Sequence, residues 1–153
     1  MNDVSIIPYL SEYQPDFKRL NITWISEHFT IEAHDLEQLD HPEEHILPNG
    51  GQILLAQSGG EIIGTVALIA TGNDTYELAK MSVVPAFQGR GIGKLLAVAA
   101  IDYARQAGAR MVWLESNRKA TAALELYRRI GFVEVPLKPS PYTRADVCME
   151  FTV

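Results

Sequence analysis

The stretch VVPAFQGRGIGKLLAVAA sets Gly89, Gly91 and Gly93 among five consecutive residues, between a strand-like apolar run and a helix-like periodic one. A chain that leaves a strand through a glycine-rich turn and enters a helix presents several unpaired backbone N–H groups and the positive end of a helix dipole at one point. Such a point attracts phosphate. The glycines let a pyrophosphate reach the backbone, while Arg90 and Lys94 add charge to the rim. A tight turn with no ligand is the alternative account of the glycine content, and spacing sharpens the discrimination. A Walker loop needs Ser or Thr after Gly-Lys, but Leu95 follows Lys94, and Gln88 stands where the first glycine belongs. A dinucleotide fingerprint needs a glycine three beyond its second, where this chain has Lys94 or Leu96.

Periodicity places the turn within a larger pattern. VSIIPYL reads as a first strand, and a helix begins near Pro15 with Phe17, Leu20, Trp24 and Ile25 at helical spacing. IEAHDLEQLD reads as a second short helix. QILLAQ and EIIGTVALIA are strands joined by SGG, and TGND turns the chain into TYELAKMSVV. After the glycines, Ile92, Leu95, Leu96, Ala99, Tyr103 and Ala107 form the expected buried stripe of a helix that stops at Gly108. MVWLES is the next strand, ATAALELYRRIGF a helix with Leu124, Tyr127 and Ile130 on one stripe, and FVEV and VCMEFTV are closing strands. Hairpins followed by strand-helix alternation imply an α/β (α+β) sheet of mixed direction with helices on its faces. No linker or repeat divides the chain, so residues 1–153 are expected to form one domain.

Composition removes several function classes. Apolar runs such as LLAVAAI fall short of the ~20 residues of a bilayer span. The beginning, with Asp3 and Glu12, lacks a signal-peptide pattern, and a lone cysteine, Cys148, makes no internal disulfide; both favour a cytoplasmic location. A net charge of −6 disfavours nucleic-acid partners, since no basic patch offsets it. All four histidines lie between His28 and His45, and HPEEH matches the H-x-x-E-H metal pattern. That pattern needs both histidines on one helix, whereas Pro42 favours the first helical position and leaves His41 outside, so no metal is expected. Cys148 reads as a packed strand residue, and Glu43 and Glu44 as first-turn helix charges.

QGRGIG resembles the Q/R-x-x-G-x-G/A pyrophosphate loop of the GNAT superfamily of acetyl-CoA-dependent N-acetyltransferases, with MSVVP before it as the strand end that leads into such loops. LYRRIGF resembles the family's next signature, a tyrosine-bearing helix that ends in Gly-Phe. The resemblance runs from about residue 53 to 135. It implies a central sheet of about seven strands flanked by about four helices, with the fourth and fifth strands splayed around coenzyme A. Pyrophosphate would then lie on Gln88, Gly89, Arg90, Gly91, Ile92, Gly93 and Lys94, and the pantetheine arm along the backbone of Met81, Val83 and Val84. Acetyl-CoA is the implied cosubstrate, and the acceptor a small-molecule or protein amine.

The resemblance also implies roles. Glu77 lies eleven residues before Gln88, where some family members carry a glutamate base, and strand alternation sets it beside Ala79, Met81 and Val83. The alternatives are a polar residue at a strand start and a water that relays the proton. Tyr127 matches the family tyrosine whose hydroxyl reaches the coenzyme sulfur. Its position beside Leu124 and Ile130 equally suits a core aromatic whose hydroxyl finds work. Asn117 lies ten residues before Tyr127, where many relatives have an asparagine at seven; here Ala120 holds that place. Asn117 either reaches the cofactor or caps the helix. Trp24, His28, Phe29 and Tyr142 are candidates for the acceptor wall, and Arg144 is either a partner for an acceptor carboxylate or a solvated loop residue. A non-catalytic acyl-CoA sensor is the competing reading, and the sequence leaves the oligomeric state, a homodimer included, open.

Overall fold

The computed structural model describes residues 3–153; the first two residues of the expected domain lie outside them. The strands are β1 (Val4–Pro8), β2 (Gln52–Ser58), β3 (Glu61–Gly72), β4 (Thr75–Val83), β5 (Met111–Ser116), β6 (Val133–Val135) and β7 (Val147–Thr152). They form one sheet in the order β1-β2-β3-β4-β5-β7-β6, in which only β4 and β5 run parallel. The helices are α1 (Gln14–His28), α2 (Ala33–Asp40), α3 (Pro42–His45), α4 (Ile92–Gln106) and α5 (Thr121–Ile130). Every strand and helix read from periodicity is present, and the helix beyond the expected four is the single turn α3. None of these helices is long and apolar enough to cross a membrane among the described residues.

Alternation sorts the strands' side chains onto two faces. Ile53, Leu55 and Ala67 pack under α1 and α2 with Phe17, Leu20 and Leu39. Val66, Leu68, Leu78, Val112 and Leu114 pack under α4 and α5 with Leu96, Ile101 and Leu124. Helix α4 corrects its expected stripe: the buried residues are Ile92, Leu96, Ala97, Ala100, Ile101 and Ala104, while Leu95 is 48% exposed and Ala107 faces solvent. The helix is apolar nearly all round, so spacing alone left its rotation undetermined.

Two irregularities position the site. The first is a bulge in β4. Thr65 pairs with Ser82 and Ala67 with Ala79, so Val66 faces two residues, Lys80 and Met81. Lys80 takes a left-handed backbone conformation at φ 52° to make room. The extra residue reverses the alternation: Ala79 pairs with Ala67 on the α1 face, whereas Val83 pairs with Gly64, whose missing Cβ would lie 2.9 Å from Leu96 of α4. Glu77 therefore does not share its face with Val83, as unbroken alternation predicted. The second is the splay itself. β4 and β5 pair only at Thr75–Met111, Tyr76–Val112 and Glu77–Trp113, then part, leaving the rest of each strand open toward a cleft.

Candidate active site

The glycine turn follows a short 3-10 turn, Pro85–Phe87, after which Gln88 is extended and its side-chain amide donates to the Val83 carbonyl at 3.0 Å. Gly89 and Gly91 have φ of 78° and 80°, in the left-handed region where a side chain costs about 1–2 kcal/mol. A Cβ on either would meet no atom within 4 Å, so open space lies in front of both. Gly91 is the N-cap of α4, and no side chain caps that end. The first-turn N–H groups of α4 are therefore free for an anion. Gly93 faces α5: a Cβ there would lie 3.4 Å from Leu126, an ordinary van der Waals distance, so packing does not demand a glycine at this position. The turn borders a groove of about 920 Å³ whose walls include Val83, Phe87, Lys94, Lys119, Val98 and Leu126. Open space, uncapped donors and basic rim residues fit a nucleotide diphosphate with an extended tail.

A second cavity, of about 120 Å³, lies where β4 and β5 part. Trp24, Phe29, Ala120 and Ala123 line both spaces, so groove and cavity meet. Glu77, Glu115, Tyr127 and Tyr142 face the smaller one. Burial, and then the charge of Glu115, push the Glu77 carboxyl up to about 7 against the pull of Lys80. Burial likewise raises Glu115, although the Ser140 hydroxyl donates to it at 2.9 Å. Tyr127 is 7% exposed, packs on Phe132 at 5.7 Å between ring centroids, and is raised by burial alone. It makes no side-chain hydrogen bond among the described residues, so its ring fills the core while its hydroxyl stays available.

A buried ionic network roofs this cavity. Asp35 has no exposed side-chain surface and accepts from Lys80 at 2.8 Å and from both Arg144 guanidinium nitrogens at 2.8 and 2.6 Å. Burial works to raise Asp35, but Arg144, Lys80 and the Glu32 backbone N–H hold it well below the usual carboxylate range. Tyr142 stacks under Arg144 at 4.4 Å, accepts from Lys80 at 2.9 Å and donates to Gln38. Thr143 N–H donates to Glu32, and Arg144 also lies 3.3 Å from Glu32. The loop before β7 is thereby latched onto α2.

The other expected residues divide between the two spaces. Trp24 and Phe29 touch, with centroids 5.9 Å apart, at the junction; His28 lines the large groove. Met81 lines the small cavity and Val83 the groove, but the Val84 N–H already donates to Ile63 at 2.9 Å. Arg144 is neither solvated nor free, since Asp35 holds it bidentately. Asn117 donates to the Arg144 carbonyl at 2.7 Å and accepts from Lys119 N–H at 2.8 Å, and α5 has no side-chain cap. His41 stands at the N-cap of α3, with its ring 6.5 Å from that of His45. Sequence reading missed Glu115, Lys80 and Asp35. Alternation in MVWLES marks Glu115 as sharing a face with Trp113, a signal available but unused. Asp35 looks like an ordinary capping-box acid, and nothing local discloses its partner 109 positions away.

Known proteins share the sequence pattern and the fold of this chain. The sequence model described as "Acetyltransferase (GNAT) family" matches residues 11–132. N-alpha-acetyltransferase RimI of Mycobacterium tuberculosis is 39% identical over 90 residues, 57% of this chain and 55% of that protein. The [Ribosomal protein bS18]-alanine N-acetyltransferase of Haemophilus influenzae is 33% identical over 127 residues, 74% of this chain and 86% of that protein. The crystal structure of a GNAT-family acetyltransferase from Staphylococcus aureus Mu50 superposes with a TM-score of 0.90 over 98% of this chain and 99% of that one, at 23% identity. Sheet order, splayed strands, glycine turn and sequence agree: the chain belongs to the GNAT family of acetyltransferases.

Proposed function

We propose that the protein transfers an acetyl group from acetyl-CoA to a primary amine by direct attack, with Glu77 as proton acceptor and Tyr127 as proton donor. The observation that carries this is the junction of the glycine-turn groove with a cavity into which Glu77 and Tyr127 both open. Acetyl-CoA supplies an activated acyl thioester. Gln88, Gly89, Arg90, Gly91, Ile92, Gly93 and Lys94 would hold its diphosphate, and the unpaired edge of β4 from Met81 to Val83 its pantetheine arm. As the N–C bond forms and the C–S bond breaks, the amine's proton passes to Glu77 and the Tyr127 hydroxyl protonates the leaving sulfur. The Tyr127 phenol is protonated at neutral pH even at its ordinary value, and burial, which raises it further, keeps the proton on oxygen until a thiolate develops beside it.

The pH dependence has a definite sign. Below pH about 7 Glu77 holds its proton and accepts no other; above it the carboxylate is free. With acetyl-CoA saturating, kcat/KM for the acceptor rises through that pH, and Glu77→Gln removes the inflection while the separate rise from the amine itself, near ~10.4, persists. Tyr127→Phe lowers kcat by about 10²–10⁴-fold, the usual contribution of a positioned acid, and leaves CoA affinity within a few-fold. Thiol release from acetyl-CoA against a panel of amines tests the whole reading. Tight binding with no amine-dependent thiol would identify a sensor instead.

A further inference from the structure

The charges around the small cavity are unevenly matched. Both cations of its wall, Lys80 and Arg144, are taken up by Asp35, and Arg144 also by Glu32. Glu77 and Glu115 form no salt bridge among the described residues; Glu77 makes no side-chain hydrogen bond, and Glu115 has only the Ser140 hydroxyl. Glu77 is in register with Trp113, so Glu115, two residues on, shares its face about 6.6 Å further along the neighbouring strand. Trp24, Phe29 and Tyr142 supply aromatic faces to the same space. The Tyr127 side chain, nine-tenths buried and without a side-chain hydrogen bond among the described residues, opens into it as well.

We propose that the acceptor, on the transferase reading above, is a short linear diamine, with its reacting nitrogen at Glu77 and its distal ammonium held by Glu115. Desolvated carboxylates without cationic partners are complementary to ammonium groups, and aromatic faces attract the same ions. An amino acid or other carboxylate-bearing acceptor finds no free cation, because Asp35 holds both. The cavity, at about 120 Å³, is well below the ~300–1,000 Å³ of drug-sized sites. Its roof, Tyr142 to Arg144, is latched onto Glu32 and Asp35, which holds that side of the cavity closed to a bulky acceptor as long as the latch is intact.

The test uses the whole chain with 1,4-diaminobutane, butylamine, 4-aminobutyrate and a basic peptide. Diaminobutane is expected to exceed butylamine in kcat/KM by about 10- to 100-fold, as befits one desolvated charge pair, with aminobutyrate and the peptide poorest. Glu115→Gln is expected to collapse the diamine-to-monoamine ratio, and Glu115→Asp to retain much of it. Calorimetric titration of diaminobutane into CoA-loaded protein gives a readout apart from turnover, with Kd weakened about 10-fold or more by Glu115→Gln. Equal use of butylamine, preference for aminobutyrate or the peptide, or diamine affinity indifferent to Glu115→Gln overturns the proposal while the transferase reading stands. Diamine binding that depends on Glu115, without thiol release from any amine, overturns the transferase reading and leaves the diamine site intact.

Discussion

Asp35→Ala is expected to lower the free energy of unfolding by about 3–5 kcal/mol, the range seen when one member of a buried ionic group is removed. The cause lies in what remains. Lys80, 5% exposed, and Arg144, 18% exposed, would face each other as cations, with only Glu32 at the edge and Glu77, which makes no salt bridge to Lys80 among the described residues, to offset them. Against a typical total of about 5–15 kcal/mol, the loss is large. Urea unfolding reads it directly, and Asp35→Asn, which keeps the shape and removes the charge, separates electrostatics from the vacated volume. A loss below about 1 kcal/mol for both variants would mean that the network is an ordinary surface bridge. The pH dependence follows in sign: Asp35 is depressed in the fold, so its contribution is complete above the unfolded carboxyl pKa of ~3.9 and is lost only as acid reaches its lower folded value.

Gly91→Glu is expected to weaken CoA binding on the order of 10²-fold or more without unfolding the protein. Two effects act together. A side chain at φ 80° strains the N-cap of α4, and a carboxylate there meets the diphosphate's own negative charge at the end of the helix that attracts it. A Cβ at Gly91 has open space around it, so steric conflict within the protein contributes nothing. Gly91→Ala isolates the backbone effect: the ~1–2 kcal/mol of left-handed strain lowers CoA affinity, by about tenfold at most, only to the extent that the turn relaxes in the free protein, and otherwise appears as lost folding stability. Calorimetry with CoA decides: if Gly91→Glu binds as the parent does, the diphosphate does not lie on this turn.

Local pattern disclosed most of the fold. Strand alternation and helical spacing are properties of short windows, so β1 to β7, α1, α2, α4 and α5 were all legible before any tertiary contact was known. The glycine turn and Tyr127 were legible for the same reason, each within a contiguous motif. What escaped depends on pairing at a distance. The rotation of α4 is fixed by which side of an almost uniformly apolar helix meets the sheet, and Leu95 is outside because Leu96 fills the core beside Gly64. Arg144 was misjudged because its role depends on Asp35, whose own sequence neighbourhood marks only a capping box. The Asn117 amide holds the backbone of the loop that carries Arg144, a link between positions 27 apart that no local window discloses.

The bulge at Lys80 makes the length of β4 part of its chemistry. Upstream of it Glu77 and Ala79 line the small cavity, and downstream Val83 lines the larger groove, with the extra residue between them. Removing one of the two residues opposite Val66 would restore a regular ladder in which Ser82 still pairs with Thr65 and Val83 with Gly64, so both halves of the strand would keep their faces. The supernumerary residue thus lets Lys80 reach Asp35 beside α2 while Met81 packs on the α4 side, without moving either half of the strand off its partners.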